Sequence, residues 1–277
     1  MTAAPGALGG AGAGSLAPAL AAVAPLAGRR AVRVVDELPD GPSSGPGWTT
    51  LADALAPAAV EGWVADADAG LAALAGGGPP VPRQVAPTYV LGWVLDALAQ
   101  AGGTPYGFLR RVPEIDLERV AVRRAAPLGQ PDAVVLLGRG SWCLPEDHAA
   151  VRAGARPVLD EDELAAVLGR ALVSAARAVE SAWTPRVRVG SHQRWGLLAD
   201  AVDGVLGAAG AARGDAAAGA SDACRVLASA PEPLRRPGGV RTLGASAWTR
   251  ARRSCCFAYA VSPALVCRTC PRLRRRA

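Results

Sequence analysis

The 277-residue sequence predicts an α+β fold, predominantly helical with a small β-sheet. Three observations carry that expectation. Long Ala- and Leu-rich stretches repeat their apolar residues at helical spacing. Two short valine-rich runs, Ala31–Val35 and Asp132–Gly138, have the length and composition of strands. Clusters of Gly and Pro separate the periodic segments and end them.

Along the chain, residues 1–15 are rich in Gly and Ala and are expected to be disordered or frayed. Leu16–Gly28 is expected as a short helix, Ala31–Val35 as a strand and Asp40–Gly47 as a turn-rich loop. Two helices are expected over 48–57 and 58–76, the second broken by the run Gly76–Arg83. Tyr89–Gln100 has the spacing of a buried helix. In a less regular middle, Asp132–Gly138 is the best strand candidate; Gly138-Arg139-Gly140 lacks the longer glycine spacing of a phosphate-binding loop.

The clearest helix starts at Asp160. Its carboxylate can cap, Glu161–Glu163 suit the positive end of the dipole, and Leu164, Val167, Leu168, Leu172 and Ala175 recur on one face. It should run to about Trp183. Helices over 191–209 and 219–229 follow, and residues 233–249 are expected to be a linker. The chain thus divides into an N-terminal tail (1–15), a main domain (16–249) and a C-terminal segment (250–277).

Composition narrows the function classes. All 30 basic residues are Arg; there is one Ile, no Lys and no Asn, a pattern of codon bias in a GC-rich genome. Residues 250–277 carry eight Arg and no acid, a charge of +8, whereas residues 1–249 carry 22 Arg against 24 acids, a charge of −2. The basic excess therefore belongs to the tail. A nucleic-acid binder would spread Arg along a face that carries a recognisable motif, and none is seen. Leu16–Gly28 is too short and too interrupted by Pro18 and Pro25 to span a bilayer. With no basic residue before Arg29 to form a secretory n-region, the expected location is the cytoplasm. There, six cysteines point to metal or redox chemistry rather than a disulfide framework.

Four of those cysteines lie within sixteen residues, as Cys255-Cys256-x10-Cys267-x2-Cys270. The two-residue gap lets the thiolates of Cys267 and Cys270 reach one metal centre, and the ten residues 257–266 can turn back to Cys255 and Cys256, with Ser262-Pro263 as a bend. Four thiolates are the usual complement of an iron–sulfur cluster. Adjacent residues of an extended segment point to opposite faces, so Cys255 and Cys256 fit a two-iron [2Fe–2S] cluster better than one compact ion. Zinc sites usually space both ligand pairs by two or more residues.

The ending Arg252-Arg253-Ser254-Cys255-Cys256-Phe257 … Cys267-Arg268-Thr269-Cys270-Pro271 resembles the C-terminal signature of the FhuF-like ferric siderophore reductases. The stretch Arg188-Val189-Gly190 … Trp195-Gly196-Leu197-Leu198-Ala199-Asp200 is similar to the segment of that family in which a Trp-Gly opens a helix ahead of the cluster. The resemblance implies a [2Fe–2S] cluster on Cys255, Cys256, Cys267 and Cys270. It also implies a substrate-binding domain over 16–249 and one-electron reduction of a ferric siderophore. With no flavin or nicotinamide motif, the electron would come from another protein, a ferredoxin or a flavoprotein reductase. Two other readings stay open on the residues: an iron–sulfur electron carrier or sensor without reductase activity, and a structural zinc-binding protein.

The remaining chemistry-bearing residues have plainer readings. Cys143 and Cys224 are read as small buried hydrophobes. His148, at an expected helix start, and His192, near a helix N-terminus, are read as solvated or capping. The seven tryptophans are read as core, mostly on apolar helical faces; Trp195 or Trp248 could flank a siderophore pocket, but packing is the reading for both. The tail Arg272–Arg276 suits an anionic siderophore or the anionic inner face of a membrane as well as it suits a solvated end.

Overall fold

A computed structural model describes residues 15–28, 31–38, 47–138, 140–151, 154–235, 242–244, 247–249, 252–262, 265–267 and 270–271. The glycine-rich tail 1–14, the expected loop 40–46 and the arginines 272–276 lie outside the described residues. The architecture is α+β, as the periodicity predicts. No helix among the described residues is long and apolar enough to cross a membrane.

The elements are α1 (Leu16–Ala27), β1 (Val32–Val35), β2 (Trp48–Thr50), α2 (Leu51–Ala54), α3 (Pro57–Leu74), α4 (Val85–Leu109), β3 (Arg111–Pro113), β4 (Val120–Ala125) and β5 (Gln130–Leu137). They continue with β6 (Ser141–Cys143), β7 (Ala155–Pro157), α5 (Glu161–Ala182), α6 (Ser191–Ala212), α7 (Ala216–Ser229), β8 (Thr242–Gly244), β9 (Ala247–Thr249) and α8 (Ala258–Val261). One sheet has the order β1-β5-β4-β2, a second β3-β6-β7, and β8 and β9 pair as a two-stranded ribbon. β1 runs parallel to β5, and β4 and β5 form an antiparallel pair whose register shifts between Arg123 and Arg124. Pro131 sits opposite Arg124 at that irregularity, where a missing N–H is tolerated.

α4 is the axis of the core. It is buried all round: Val90, Leu91, Val94, Leu98 and Tyr106 are 0–1% exposed, and it touches α1, α3, α5, α6 and both larger sheets. It extends well beyond the expected 89–100. Gly102 and Gly103 are poor helix formers, yet neighbours pack close against both. A Cβ on Gly102 would lie 2.4 Å from Ile115 Cδ1 and 2.6 Å from Leu168 Cδ1, and one on Gly103 2.9 Å from Val205 Cγ1. Packing thus overrides the propensity cost of ~1 kcal/mol per glycine.

Two further expectations need correction. The predicted helix 48–57 is instead β2 followed by the single turn α2, because Trp48-Thr49-Thr50 suits a strand and the Thr50 hydroxyl accepts the Asp53 N–H as an N-cap. The predicted linker 233–249 contains the β8–β9 ribbon. Trp63, Trp93 and Trp195 lie on helices, whereas Trp48 and Trp142 lie on strands, with Arg33 and Arg123 over Trp48 and Arg156 over Trp142. The helix at Asp160 is as expected, its carboxylate accepting the Glu163 N–H at 2.8 Å.

Candidate metal centre

The cysteine segment is built on α6. This helix turns Leu198, Val202 and Leu206 into the core, while Gln193, Gly196 and Asp200 fall at i, i+3 and i+7 along one stripe. Residues Arg252–Cys255 lie on that stripe. The Gln193 side-chain amide donates to the Cys255 carbonyl. At Gly196 the segment approaches the helix so closely that a Cβ would fall 2.9 Å from Ser254 Cβ and 3.3 Å from Ser254 N. One turn on, Asp200 accepts the Arg253 N–H at 3.0 Å, the Ser254 N–H at 3.2 Å and the Ser254 hydroxyl at 2.8 Å.

Beyond Cys255 the chain folds back on itself. Phe257 takes the left-handed conformation (φ 56°) and leads into α8. The Leu265 N–H then donates to the Ser262 carbonyl at 2.9 Å, and the return brings Cys267 Sγ to 3.1 Å from Cys256 Sγ. The Cys270 N–H closes a turn on the Cys267 carbonyl at 3.0 Å, and Cys270 is buried. Cys256 and Cys267 are therefore brought together. Cys255 and Cys270 stand in the same segment, but among the described residues no three His, Cys, Asp or Glu side chains gather as a metal-binding group.

The electrostatics around the thiol pair are marked. Burial, with the Cys267 thiol beside it, pushes the Cys256 thiol up to about 11, against the Ala258 N–H and the Arg252 charge, which favour the thiolate. The Arg252 guanidinium has Nη1 at 3.6 Å from Cys267 Sγ and Nε at 3.4 Å from Asp200 Oδ2. Burial works against its charge, but Asp200 and the Cys256 and Cys267 thiolates outweigh burial and raise its pKa. On α4, burial and then the same two thiolates push the Tyr89 hydroxyl up to about 12, so it stays protonated. Tyr89 packs edge-on against Trp93, and Trp93 stacks on Trp63.

The donor chemistry fits a thiolate-bound metal centre. Two sulfurs on one tetrahedral metal with bonds of 2.3 Å stand ~3.8 Å apart. The Cys256–Cys267 pair at 3.1 Å needs only a small opening to reach that spacing. An arginine and an amide N–H already face these sulfurs, as suits a centre that carries negative charge.

The other candidates are elsewhere. Cys143 is fully buried on β6, as expected, whereas Cys224 is exposed on α7 and is not a core residue. His148 is exposed in a turn between β6 and β7 rather than at a helix start, and His192 is exposed in the first turn of α6. A narrow cleft with a cavity volume of about 10 Å3 opens between α4, α5 and α6, floored by Leu91, Leu95, Val179 and Trp195, with the Arg194–Glu180 pair lining it. That is room for about one water, and Trp195, 6% exposed, packs in the core. No protein-family model matches the chain, and no curated protein or solved structure matches it.

Asp200 and Gln193 were not singled out as site residues in the sequence. Their spacing with Gly196 on α6 is a signal only once the partner segment, more than fifty residues away, is known to lie on that stripe.

Proposed function

We propose that Cys255, Cys256, Cys267 and Cys270 hold a [2Fe–2S] cluster and that the protein reduces ferric iron in a siderophore complex by one electron. When bound, such a cluster supplies a one-electron carrier. The reading rests on the cysteine quartet, with its adjacent pair and its resemblance to the FhuF-like signature, and is supported by the meeting of Cys256 and Cys267 beside Arg252.

The chain's own groups suit that role. Arg252 offsets negative charge at Cys267, and the Ala258 amide does so at Cys256. Leu265 and Val266, 48% and 39% exposed, stand immediately before Cys267, so the segment meets solvent where a substrate or donor protein would dock. The substrate logic is chemical: siderophores are hard oxygen chelators that favour Fe(III), and Fe(II) is held more weakly and leaves. A ferredoxin or flavoprotein reductase in the cytoplasm would supply the electron.

The test uses anaerobically purified, cluster-loaded protein reduced chemically and mixed with hydroxamate or catecholate ferric siderophores, with a ferrous chelator present. Reoxidation of the visible spectrum with stoichiometric Fe(II) capture is expected. Absence of reoxidation across both siderophore classes would refute the reductase reading, and a colourless protein that retains zinc would refute the cluster.

A further inference from the structure

We propose that Asp200 is the positioning residue of the centre: it clamps the segment that precedes Cys255 and aims the Arg252 guanidinium at the Cys267 sulfur. The proposal deepens the cluster reading, and one arm of its test is independent of that reading.

A carboxylate offers about four lone-pair sites. Asp200, whose side chain is 8% exposed, meets four donors: the Arg253 N–H, the Ser254 N–H, the Ser254 hydroxyl and Arg252 Nε. No such convergence is needed to stabilise α6, because Asp200 lies in its interior and not at a cap. Two of the donors are consecutive backbone amides, so the carboxylate fixes the direction of the chain entering Cys255. The fourth fixes the guanidinium. With Nε on Asp200 and Nη1 toward Cys267 Sγ, the planar fork has one orientation. Gly196 lets the segment approach near enough for these bonds, and Gln193 takes the Cys255 carbonyl one turn earlier. Helix, segment and sulfur are thereby linked through one carboxylate.

The sign of the electrostatic consequence separates positioning from a mere charge effect. A cation held against a ligand sulfur favours the more negative, reduced state. Arg252→Gln therefore lowers the reduction potential, with an expected tenfold loss in the reduction equilibrium constant, or 59 mV for one electron. Asp200→Asn removes a negative charge. If Asp200 acted only as a charge, that substitution would raise the potential. If it positions Arg252, the potential falls, and in the Arg252→Gln background the same substitution no longer lowers it.

The experiment has two arms. In the first, redox titration of the loaded wild type, Asp200→Asn, Arg252→Gln and the double variant reads the potentials. A raised potential in Asp200→Asn, or equal downward shifts in both backgrounds, overturns the proposal. In the second, hydrogen exchange is followed in the metal-free protein. Arg253 and Ser254 amides should exchange at least tenfold faster in Asp200→Asn and unchanged in Arg252→Gln. Unchanged exchange in Asp200→Asn overturns the clamp. If the wild type takes up no cluster, the function proposed above fails, and the second arm still decides the clamp.

Discussion

Gly196→Ala puts the approach of the cysteine segment under a direct test. In an isolated helix the change would stabilise α6 by about 1 kcal/mol, because glycine is the poorer helix former. Here the added Cβ would lie 2.9 Å from Ser254 Cβ, 3.3 Å from Ser254 N and 3.5 Å from Arg253 C. Two of those atoms are backbone and the third is fixed to it, so no rotamer change relieves the contact. Overpacking of this kind costs about 1–3 kcal/mol. The segment can escape that cost by lifting from α6, which loses the Asp200 bonds to the Arg253 and Ser254 amides. The body of the protein should therefore keep its stability to within about 1 kcal/mol, since the helix gain offsets part of the strain. Locally, opening becomes easier by the same ~1–3 kcal/mol, which is roughly 5- to 150-fold in exchange rate. Hydrogen exchange at Arg253 and Ser254, read beside urea unfolding and iron content, separates the local from the global effect. Unchanged exchange and unchanged iron content would refute the reasoning.

Serine substitution at Cys255, Cys256, Cys267 or Cys270 should abolish or severely alter the visible absorption of purified protein, whereas Cys224→Ser, on the exposed face of α7, should leave it unchanged. The Cys256 thiol is raised from 9.0 to about 11 in the folded chain, so it retains its proton where the unfolded chain loses it. Stability from this group is present below pH 9 and lost as pH rises through about 11, a decline that thermal melts of the metal-free protein should show and Cys256→Ser should blunt. Away from the site, Asp147 holds the 6%-exposed Arg111 through two oxygens. Asp147→Ala should destabilise the protein by about 3–5 kcal/mol in urea unfolding, because a buried charge loses its carboxylate.

The one-sided helices were legible because burial on one side imposes a period, as in α5 with its Asp160 cap, in α7 and in α6, which carries the site. Where elements are short, the period had too few residues to show. Trp48-Thr49-Thr50 is three residues long and merged into a false helix, and β3, β6 and β7 left no separate signal in the irregular middle. α4 was expected as the helix Tyr89–Gln100, but its continuation to Leu109 was not legible: the glycines there mark close packing that only the tertiary structure reveals. At the site, the spacing of the cysteines was readable because ligand chemistry constrains sequence directly. The loop 257–266 has no glycine, so its left-handed turn falls on Phe257, a residue with no signal for that conformation. Asp200 was hidden because a carboxylate inside a helix shows nothing of the backbone it binds.

The two halves of the cysteine segment are tied down differently, and that difference predicts what metal removal does. The first half, Arg252–Cys256, is bound to α6 by Asp200 and Gln193 with Gly196 beneath it. None of those ties involves a thiol, so they survive without metal. In the second half, the described ties of Leu265, Cys267 and Cys270 are the short-range bonds to Ser262 and within the Cys267–Cys270 turn, together with the Cys256 and Arg252 contacts at the Cys267 sulfur. Metal–thiolate bonds would add strong links to this half in particular. Local opening is governed by such ties rather than by global stability. Limited trypsin digestion followed by mass spectrometry should show cleavage after Arg268, between Cys267 and Cys270, proceeding much faster in metal-free than in loaded protein. Cleavage after Arg252 and Arg253 should be slow in both. Equal rates after Arg268 in the two forms would mean that metal does not close this half onto the first. Fast cleavage after Arg253 in metal-free protein would mean that α6 does not hold the segment unaided.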